Sequence, residues 1–128
     1  MADKVIDASA VVALLFNELT RDDIAARLRG SSLHAPSLIA FEVANACLKK
    51  MRASPGESDA LLEAFGLFDD LSIAPNAIDF SAAIALAKQT GLSFYDASYL
   101  WLAHALGAEL VTLDDRLARA DRKLRASK

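Results

Sequence analysis

The stretch KVIDAS, at residues 4–9, decides the fold of this chain, and an apolar run follows it from residue 10 to residue 16. Val5 and Ile6 are β-branched and apolar, so they predict a short buried strand that ends at Asp7. The run that follows predicts a buried helix over residues 9–16. Burying a carboxylate costs free energy unless a partner is near, and ligands of open α/β sheets bind beyond the carboxyl ends of the strands. Asp7 is therefore the first candidate for a functional site.

The rest of the chain alternates short apolar segments with longer helical patterns. Strands are predicted at residues 33–35, 71–74 and 110–113. Helices are predicted at residues 22–29, 38–51 with Ser37 as its cap, 58–70, 79–90, 95–106, and from 114–115 onward. This alternation is typical of an α/β fold, a three-layer α/β/α sandwich around a central parallel sheet of four to five short strands.

Length and composition narrow the class of protein. The chain has 128 residues, of which 54% are hydrophobic and 24% charged, and its net charge is −3. These values predict one globular domain over residues 1–128. The longest apolar runs are far shorter than the roughly 20 residues of a membrane helix, and the N-terminus has no signal-peptide pattern. We therefore expect a cytoplasmic protein without a membrane segment, in which the single Cys47 is a buried core residue.

Four acidic residues stand in apolar surroundings, unlike the other carboxylates, which have polar neighbours. Asp7 and Asp114 follow predicted strands, whereas Glu42 and Asp96 lie near the N-termini of apolar helices. Each of the three aspartates could instead satisfy the backbone at the start of a helix. Glu42 fits that alternative less well, since it falls in the second predicted turn and no lysine or arginine lies within one turn of it.

Four carboxylates gathered at one edge of a sheet would repel one another, and a divalent cation would remove that conflict. Oxygen ligands without a Cys/His cluster favour Mg²⁺ or Mn²⁺ over zinc. Such a site indicates phosphoryl chemistry, in which the metal generates a nucleophile from water.

Four segments in order along the chain resemble the PIN-domain nucleases, in particular the VapC-type toxins of toxin–antitoxin systems. These segments are VIDAS at 5–9, FEVANA at 41–46, GLSFYDASYL at 91–100 and LVTLD at 110–114. The resemblance implies a single PIN-like nuclease domain that acts as a metal-dependent endoribonuclease. It implies that the catalytic and metal-binding residues are Asp7, Glu42, Asp96 and Asp114, with Mg²⁺ or Mn²⁺ as the cofactor.

Further residues could support these acids. Ser9 and Thr112 carry hydroxyls near them and could orient a ligand or a phosphate. Asn45 lies one turn beyond Glu42, although it could equally be an amide on the helix surface. Asp115 could assist or replace Asp114. Family members commonly add an edge strand after the last helix, whereas this chain ends in a basic segment, so the sheet could be one strand short.

The resemblance implies an RNA substrate, a homodimer and a cognate antitoxin held in a groove of the early helices, residues 9–29 and 38–51. From position 116 onward the sequence has six basic residues and one acid. Two interpretations are open: the basic residues contact the phosphates of a nucleic acid, or they belong to a solvated chain terminus. The candidates for RNA binding are Arg116, Arg119, Arg122 and Lys123. The aromatic run Tyr95, Tyr99 and Trp101 is interpreted as core or dimer packing. The alternative function is a non-catalytic PIN-like module that binds RNA or protein.

Overall fold

Four short parallel strands form the sheet in the computed structural model, which describes residues 1–127; Lys128, the last basic residue, lies outside the described part. The strands are β1 (Asp3–Ile6), β2 (Ser32–Pro36), β3 (Ala74–Asn76) and β4 (Glu109–Val111). The helices are α1 (Ala8–Leu15), α2 (Arg21–Leu28), α3 (Ile39–Ala53), α4 (Ser58–Phe65), α5 (Phe80–Thr90), α6 (Phe94–Leu106) and α7 (Asp115–Ala126). Short 3₁₀ turns lie at Pro55–Glu57 and Phe68–Leu71.

The strand order is β3-β2-β1-β4, and every neighbouring pair is parallel. The chain steps outward from β1 to β3 and then returns to the other side of β1. Because crossovers are right-handed, this reversal places α1–α4 on one face and α5–α6 on the other. In agreement, α6 packs against β1, β2 and β4, whereas α1 packs against α2 and α3. The predicted three-layer α/β/α class is confirmed, with four strands.

The chain reverses its progress across the sheet between β1 and β4, so the strand order switches direction there. At such a point the connections that follow the two strands lead to opposite faces, and a crevice opens at their carboxyl ends. Val5 and Ile6 are fully buried at the centre of the sheet, as is Leu100 on α6. Burial of each such side chain contributes roughly 1.5–3 kcal/mol. The predicted central position of α6 is confirmed, and Cys47 is buried as expected.

Two predicted elements on the β3 side of the molecule are wrong. The helix predicted over residues 58–70 ends at Phe65, and Gly66 leads into the second 3₁₀ turn, where the rings of Phe65 and Phe68 stack with centroids 6.0 Å apart. The predicted strand 71–74 lies three residues later and contains Pro75. A proline is tolerated there because β3 is an edge strand and one side of its backbone needs no partner.

Smaller corrections concern helix starts and one acid. Ser37 does not cap α3; Leu38 holds that position without a side-chain cap, because a turn separates Pro36 from the helix. Glu42 therefore falls in the first turn of α3 rather than the second. Asp121 is one of the acids with polar neighbours in sequence, yet its side chain is only 14% exposed and binds His104 and Arg125. No helix within residues 1–127 has the length and apolarity needed to cross a membrane.

Candidate active site

Asp7 lies at the carboxyl end of β1, beside the point where the strand order reverses. Its Oδ1 atom accepts hydrogen bonds from the Ser9 hydroxyl (2.7 Å) and the Ala10 amide (3.1 Å). Its Oδ2 atom accepts one from the Thr112 hydroxyl at 2.5 Å. Asp7 therefore caps α1, which was the alternative interpretation of its position before a helix. The same carboxylate also accepts a hydrogen bond from the segment after β4.

The hydroxyls of Ser9 and Thr112 connect the ends of β1 and β4. While donating to Asp7, the Ser9 oxygen accepts from the Leu113 amide (2.9 Å) and the Thr112 oxygen accepts from the Asp114 amide (3.0 Å). The two hydroxyl oxygens are 3.4 Å apart. Because β4 ends at Val111, two residues before the predicted end, Thr112 is free of the sheet and can make these contacts.

Asp114 caps α7. Its Oδ1 atom accepts from the amides of Arg116 (2.9 Å) and Leu117 (3.1 Å). Asp115 is the next residue, exposed in the first turn of α7, and its side chain makes no hydrogen bond or ion pair within residues 1–127. The cap thus fixes Asp114 beside Thr112, while Asp115 faces solvent.

Glu42 approaches from α3 and is held by Tyr99 of α6. The Tyr99 hydroxyl donates to Glu42 Oε1 at 2.6 Å, and the Tyr99 side chain is 1% exposed. Within residues 1–127 no lysine or arginine forms an ion pair with Glu42, and the pKa of Glu42 is lowered only by the hydrogen bond from Tyr99. The sequence did not predict that Tyr99 binds Glu42, because an aromatic residue in an apolar helix indicates core or dimer packing. The available signal was its spacing, since Tyr99 lies three residues after Asp96 and thus on the same face of α6.

Asp96 and Asn45 complete the predicted site. Asp96 lies in the first turn of α6, where its amide donates to the Ser93 cap at 3.1 Å, and the Ser93 hydroxyl also lowers the pKa of the Asp96 carboxyl. Asn45 is exposed on α3 and shares an open cleft with Ser9 and Glu42. The four predicted cations all lie on α7, which begins at the site.

The four carboxylates act on one another electrostatically. Burial is the main cause that raises the pKa of Asp7, and the charge of Asp114 adds to it. Burial also raises the pKa of Glu42, with further contributions from Asp96 and Asp7. The pKa of Asp96 is raised by burial and by the charge of Asp114, and these effects are opposed by the hydroxyl of Ser93 and, less strongly, by the charge of Arg116. The hydrogen bonds from Thr112, Ser9 and Tyr99 oppose these shifts without cancelling them.

Asp7 is held through both oxygens, whereas Glu42 and Asp114 are each held through one, and all three keep accepting capacity on one oxygen. A carboxylate oxygen accepts about two hydrogen bonds, so Asp7 Oδ1 is saturated whereas Oδ2, with one bond, is not. Glu42 Oε2 and Asp114 Oδ2 accept no hydrogen bond within the described chain. This donor set fits a hard cation in type. In the arrangement within residues 1–127, however, no three His, Cys, Asp or Glu side chains are placed to hold one metal ion together.

Comparisons with known proteins agree on one family. The profile of the PIN domain family matches residues 4–123. Ribonuclease VapC3 of Pyrobaculum aerophilum is 38% identical over 120 residues, covering 89% of this chain and 91% of the relative. Ribonuclease VapC3 of Mycobacterium tuberculosis is 34% identical over 120 residues, covering 91% and 85%. Ribonuclease VapC12 of the same organism is 30% identical over 117 residues, covering 91% and 90%.

A solved structure has the same fold. The crystal structure of PAE2754 from Pyrobaculum aerophilum superposes with a TM-score of 0.75 at 24% identity, covering 98% of this chain and 94% of that one. The profile match over nearly the whole chain and the relatives at 30–38% identity lead to one conclusion: the chain belongs to the PIN domain family, and within it to the proteins of the VapC type.

Proposed function

We propose that the chain is the toxin of a type II toxin–antitoxin system and cleaves RNA as a metal-dependent endoribonuclease. The observation that carries this proposal is the set of four carboxylates whose charges act on one another, three of them fixed by hydrogen bonds and still able to accept on one oxygen. Asp7, Glu42, Asp96 and Asp114 would hold Mg²⁺ or Mn²⁺. The relatives named as ribonucleases, at 30–38% identity, support the RNA substrate.

The bound ion would supply a water of lowered pKa as the nucleophile and would neutralise charge on the phosphodiester. The chain's own residues prepare the site for that chemistry. Ser9 and Thr112 fix both oxygens of Asp7, so that the carboxylate need not be ordered when a ligand binds. Tyr99 fixes one oxygen of Glu42 from the opposite layer of the sandwich. Asp96 has only the hydroxyl of Ser93 on its own helix cap beside it, and no side chain from another element anchors its carboxylate within residues 1–127.

The VapC-type family also supports an antitoxin partner and a homodimer. The open cleft between α1 and α3 is lined by Ala8, Val12 and Ala46 beside Glu42. Next to it, Phe41 of α3 is 79% exposed. We propose that the cognate antitoxin covers this part of α1 and α3. Both helices belong to the early helices that were expected to form the groove. Copurification of the protein encoded next to this chain would test the pairing, and an antitoxin bound away from α1 and α3 would contradict it.

The activity is tested by incubating single-stranded RNA with the protein and Mg²⁺ or Mn²⁺. We expect wild type to cleave, Asp7→Asn and Asp96→Asn to lose at least about 100-fold in rate, and the exposed control Asp59→Asn to match wild type. Titration of Mn²⁺ followed by calorimetry provides a readout that is independent of cleavage. Comparison of Asp114→Asn with Asp115→Asn decides which of the two residues contributes to the site.

The alternative is a non-catalytic PIN-like module that binds RNA or protein. The observation that favours it is the absence, within residues 1–127, of three side chains already placed around one ion. Wild type that binds RNA but leaves it intact with either metal would establish this alternative. Cleavage that survives both Asp7→Asn and Asp96→Asn would instead refute the assignment of the site.

A further inference from the structure

A basic groove runs along α7 on the side that faces the end of α5 and the turn into α6. It consists of two adjoining cavities of about 330 and 320 Å³, which share Thr90, Ala120 and Lys123 as walls. The lining residues are Gln89, Thr90, Leu92, Arg116, Arg119, Ala120, Lys123, Leu124 and Ser127. None of these is acidic and none is aromatic, so the groove offers positive charge but no ring on which a base could stack.

The cations of the groove lie on one side of α7. Arg116, Arg119 and Lys123 are spaced i, i+3, i+7, which places them on one helical face over roughly 10 Å of the axis. Arg122 lies about 100° around the helix from them and lines neither cavity. Of the four cations that the sequence offered for RNA binding, three therefore share a surface and one does not.

Two of these three cations are unpaired in the part of the chain that the structure describes. Arg119 and Lys123 form no ion pair or hydrogen bond through their side chains within residues 1–127. The acid that α7 carries nearby, Asp121, is instead bound to His104 and Arg125. The charge of the groove is thus available to an external anion.

Arg116 connects the groove to the candidate site. Its guanidinium donates to the Gly91 carbonyl at 3.0 Å, which holds it at the turn before α6. From there its charge acts on Asp96, and its backbone amide donates to Asp114. A chain of phosphates lying in the groove would therefore lead directly to the acids.

We propose that this groove binds the sugar–phosphate backbone of single-stranded RNA next to the bond that the acids cleave, with Arg119 and Lys123 contacting phosphates and Arg116 at the junction. This inference rests on the proposed function of the site. A row of cations suits consecutive phosphates, whereas a single free anion needs donors that converge on one point. No aromatic side chain lines the groove for a base to stack on, and contacts to phosphates contribute affinity and register but carry no sequence information.

The test measures binding in EDTA, where cleavage does not intervene, with fluorescein-labelled single-stranded RNAs of two unrelated sequences. The variant is Arg119→Gln/Lys123→Gln. The matched control is Arg29→Gln/Arg122→Gln, which removes the same charge from exposed positions, one at the end of α2 and one off the groove face of α7. Both doubles change exposed residues only, and circular dichroism verifies that they fold.

We expect the groove variant to bind both RNAs more weakly and with a slope of log Kd against log salt that is shallower by about 1.4, since each phosphate contact on a single strand contributes about 0.7. Between about 50 and about 200 mM salt, wild type should therefore lose about sevenfold more affinity than the variant. The control double should keep the wild-type slope. Gln89→Glu, which places a carboxylate in the wall at nearly constant shape, should also weaken binding.

Equal losses in the two doubles would overturn the proposal, since they would show a response to net charge alone. An unchanged slope in the groove variant, or a loss confined to one RNA sequence, would overturn it as well. Cleavage with Mn²⁺ separates this inference from the proposed function. If wild type binds RNA through the groove but does not cleave it, the nuclease assignment is wrong and the groove proposal stands. If wild type cleaves RNA but the groove variant keeps the wild-type slope of log Kd against log salt, only the groove proposal is wrong.

Discussion

Replacing Tyr99 with phenylalanine removes one oxygen atom from the interior and leaves Glu42 without its only hydrogen-bond donor in the described chain. The ring keeps its packing, because Tyr99 is 1% exposed and phenylalanine has the same shape. A hydrogen bond to a charged group contributes roughly 1.5–3 kcal/mol. Glu42 is only half-buried, so water replaces part of the lost bond, and we expect a loss of about 1–2 kcal/mol in the free energy of unfolding at neutral pH.

The loss should depend on pH in a direction that the structure determines. The hydrogen bond from Tyr99 favours the charged form of Glu42. Burial already raises the pKa of Glu42, and removing this bond raises that pKa further. A carboxyl group whose folded-state pKa exceeds its unfolded value destabilises the protein as pH rises through that range. The destabilisation by Tyr99→Phe should therefore be largest at neutral pH and smaller at mildly acidic pH, where Glu42 is protonated in both proteins.

The assay is urea denaturation of metal-free protein at about pH 7.5 and about pH 4.5, with thermal unfolding as a second measure. For a chain of this size the expected loss corresponds to a decrease in Tm of about 3–8 °C at the higher pH. Tyr95→Phe is the matched control, because Tyr95 is on the same helix, is 60% exposed and makes no hydrogen bond through its hydroxyl within residues 1–127. The reasoning is refuted if the two variants lose the same stability, or if the loss for Tyr99→Phe does not change with pH.

Three further predictions concern the acids and one hydroxyl. Asp96→Asn should stabilise metal-free protein by about 0.5 kcal/mol by removing repulsion, and should reduce the increase in Tm that Mn²⁺ causes; an unchanged Mn²⁺ effect would contradict the site. Burial raises the pKa of Asp7, Glu42 and Asp96, so their joint contribution to stability declines as pH rises from mildly acidic to neutral. The urea midpoint of Asp96→Asn, which has one such acid fewer, should therefore decline less over that pH range than the midpoint of wild type. Thr112→Val should cost about 1–3 kcal/mol in urea denaturation, since it removes the donor to Asp7 and the acceptor for the Asp114 amide; a loss below about 0.5 kcal/mol would argue against that connection.

Local patterns were sufficient to predict the layers and the candidate acids. Each acid interrupts an apolar stretch, and Asp7 and Asp114 follow strands that parallel pairing aligns at one edge. The contact between Tyr99 and Glu42 could not be predicted in the same way. It joins two helices from opposite layers, 57 residues apart, and its formation depends on how α3 and α6 meet beyond the sheet.

The remaining differences arise where tertiary context overrides a local rule. The strand predicted at residues 71–74 stops before Pro75, yet β3 contains this proline, because at the sheet edge its missing amide hydrogen leaves no partner unsatisfied. Asp121 has polar neighbours in sequence, but α7 turns it inward toward His104. For the same reason the division of the basic residues of α7, with Arg122 off the groove, follows from the position of α5 and not from the charge pattern.

The pairing of β1 with β4 has a consequence for how the protein is made. The first strand of the chain is an inner strand of the sheet, and one of its two neighbours is the last strand. Thr112 binds Asp7 across 105 positions of sequence, a contact of the kind that forms late because a long loop must close first. A ribosome-bound chain that has not yet released β4 has only three of the four acids and an open sheet. The four acids can therefore come together only after β4 and the segment that follows it have been synthesised.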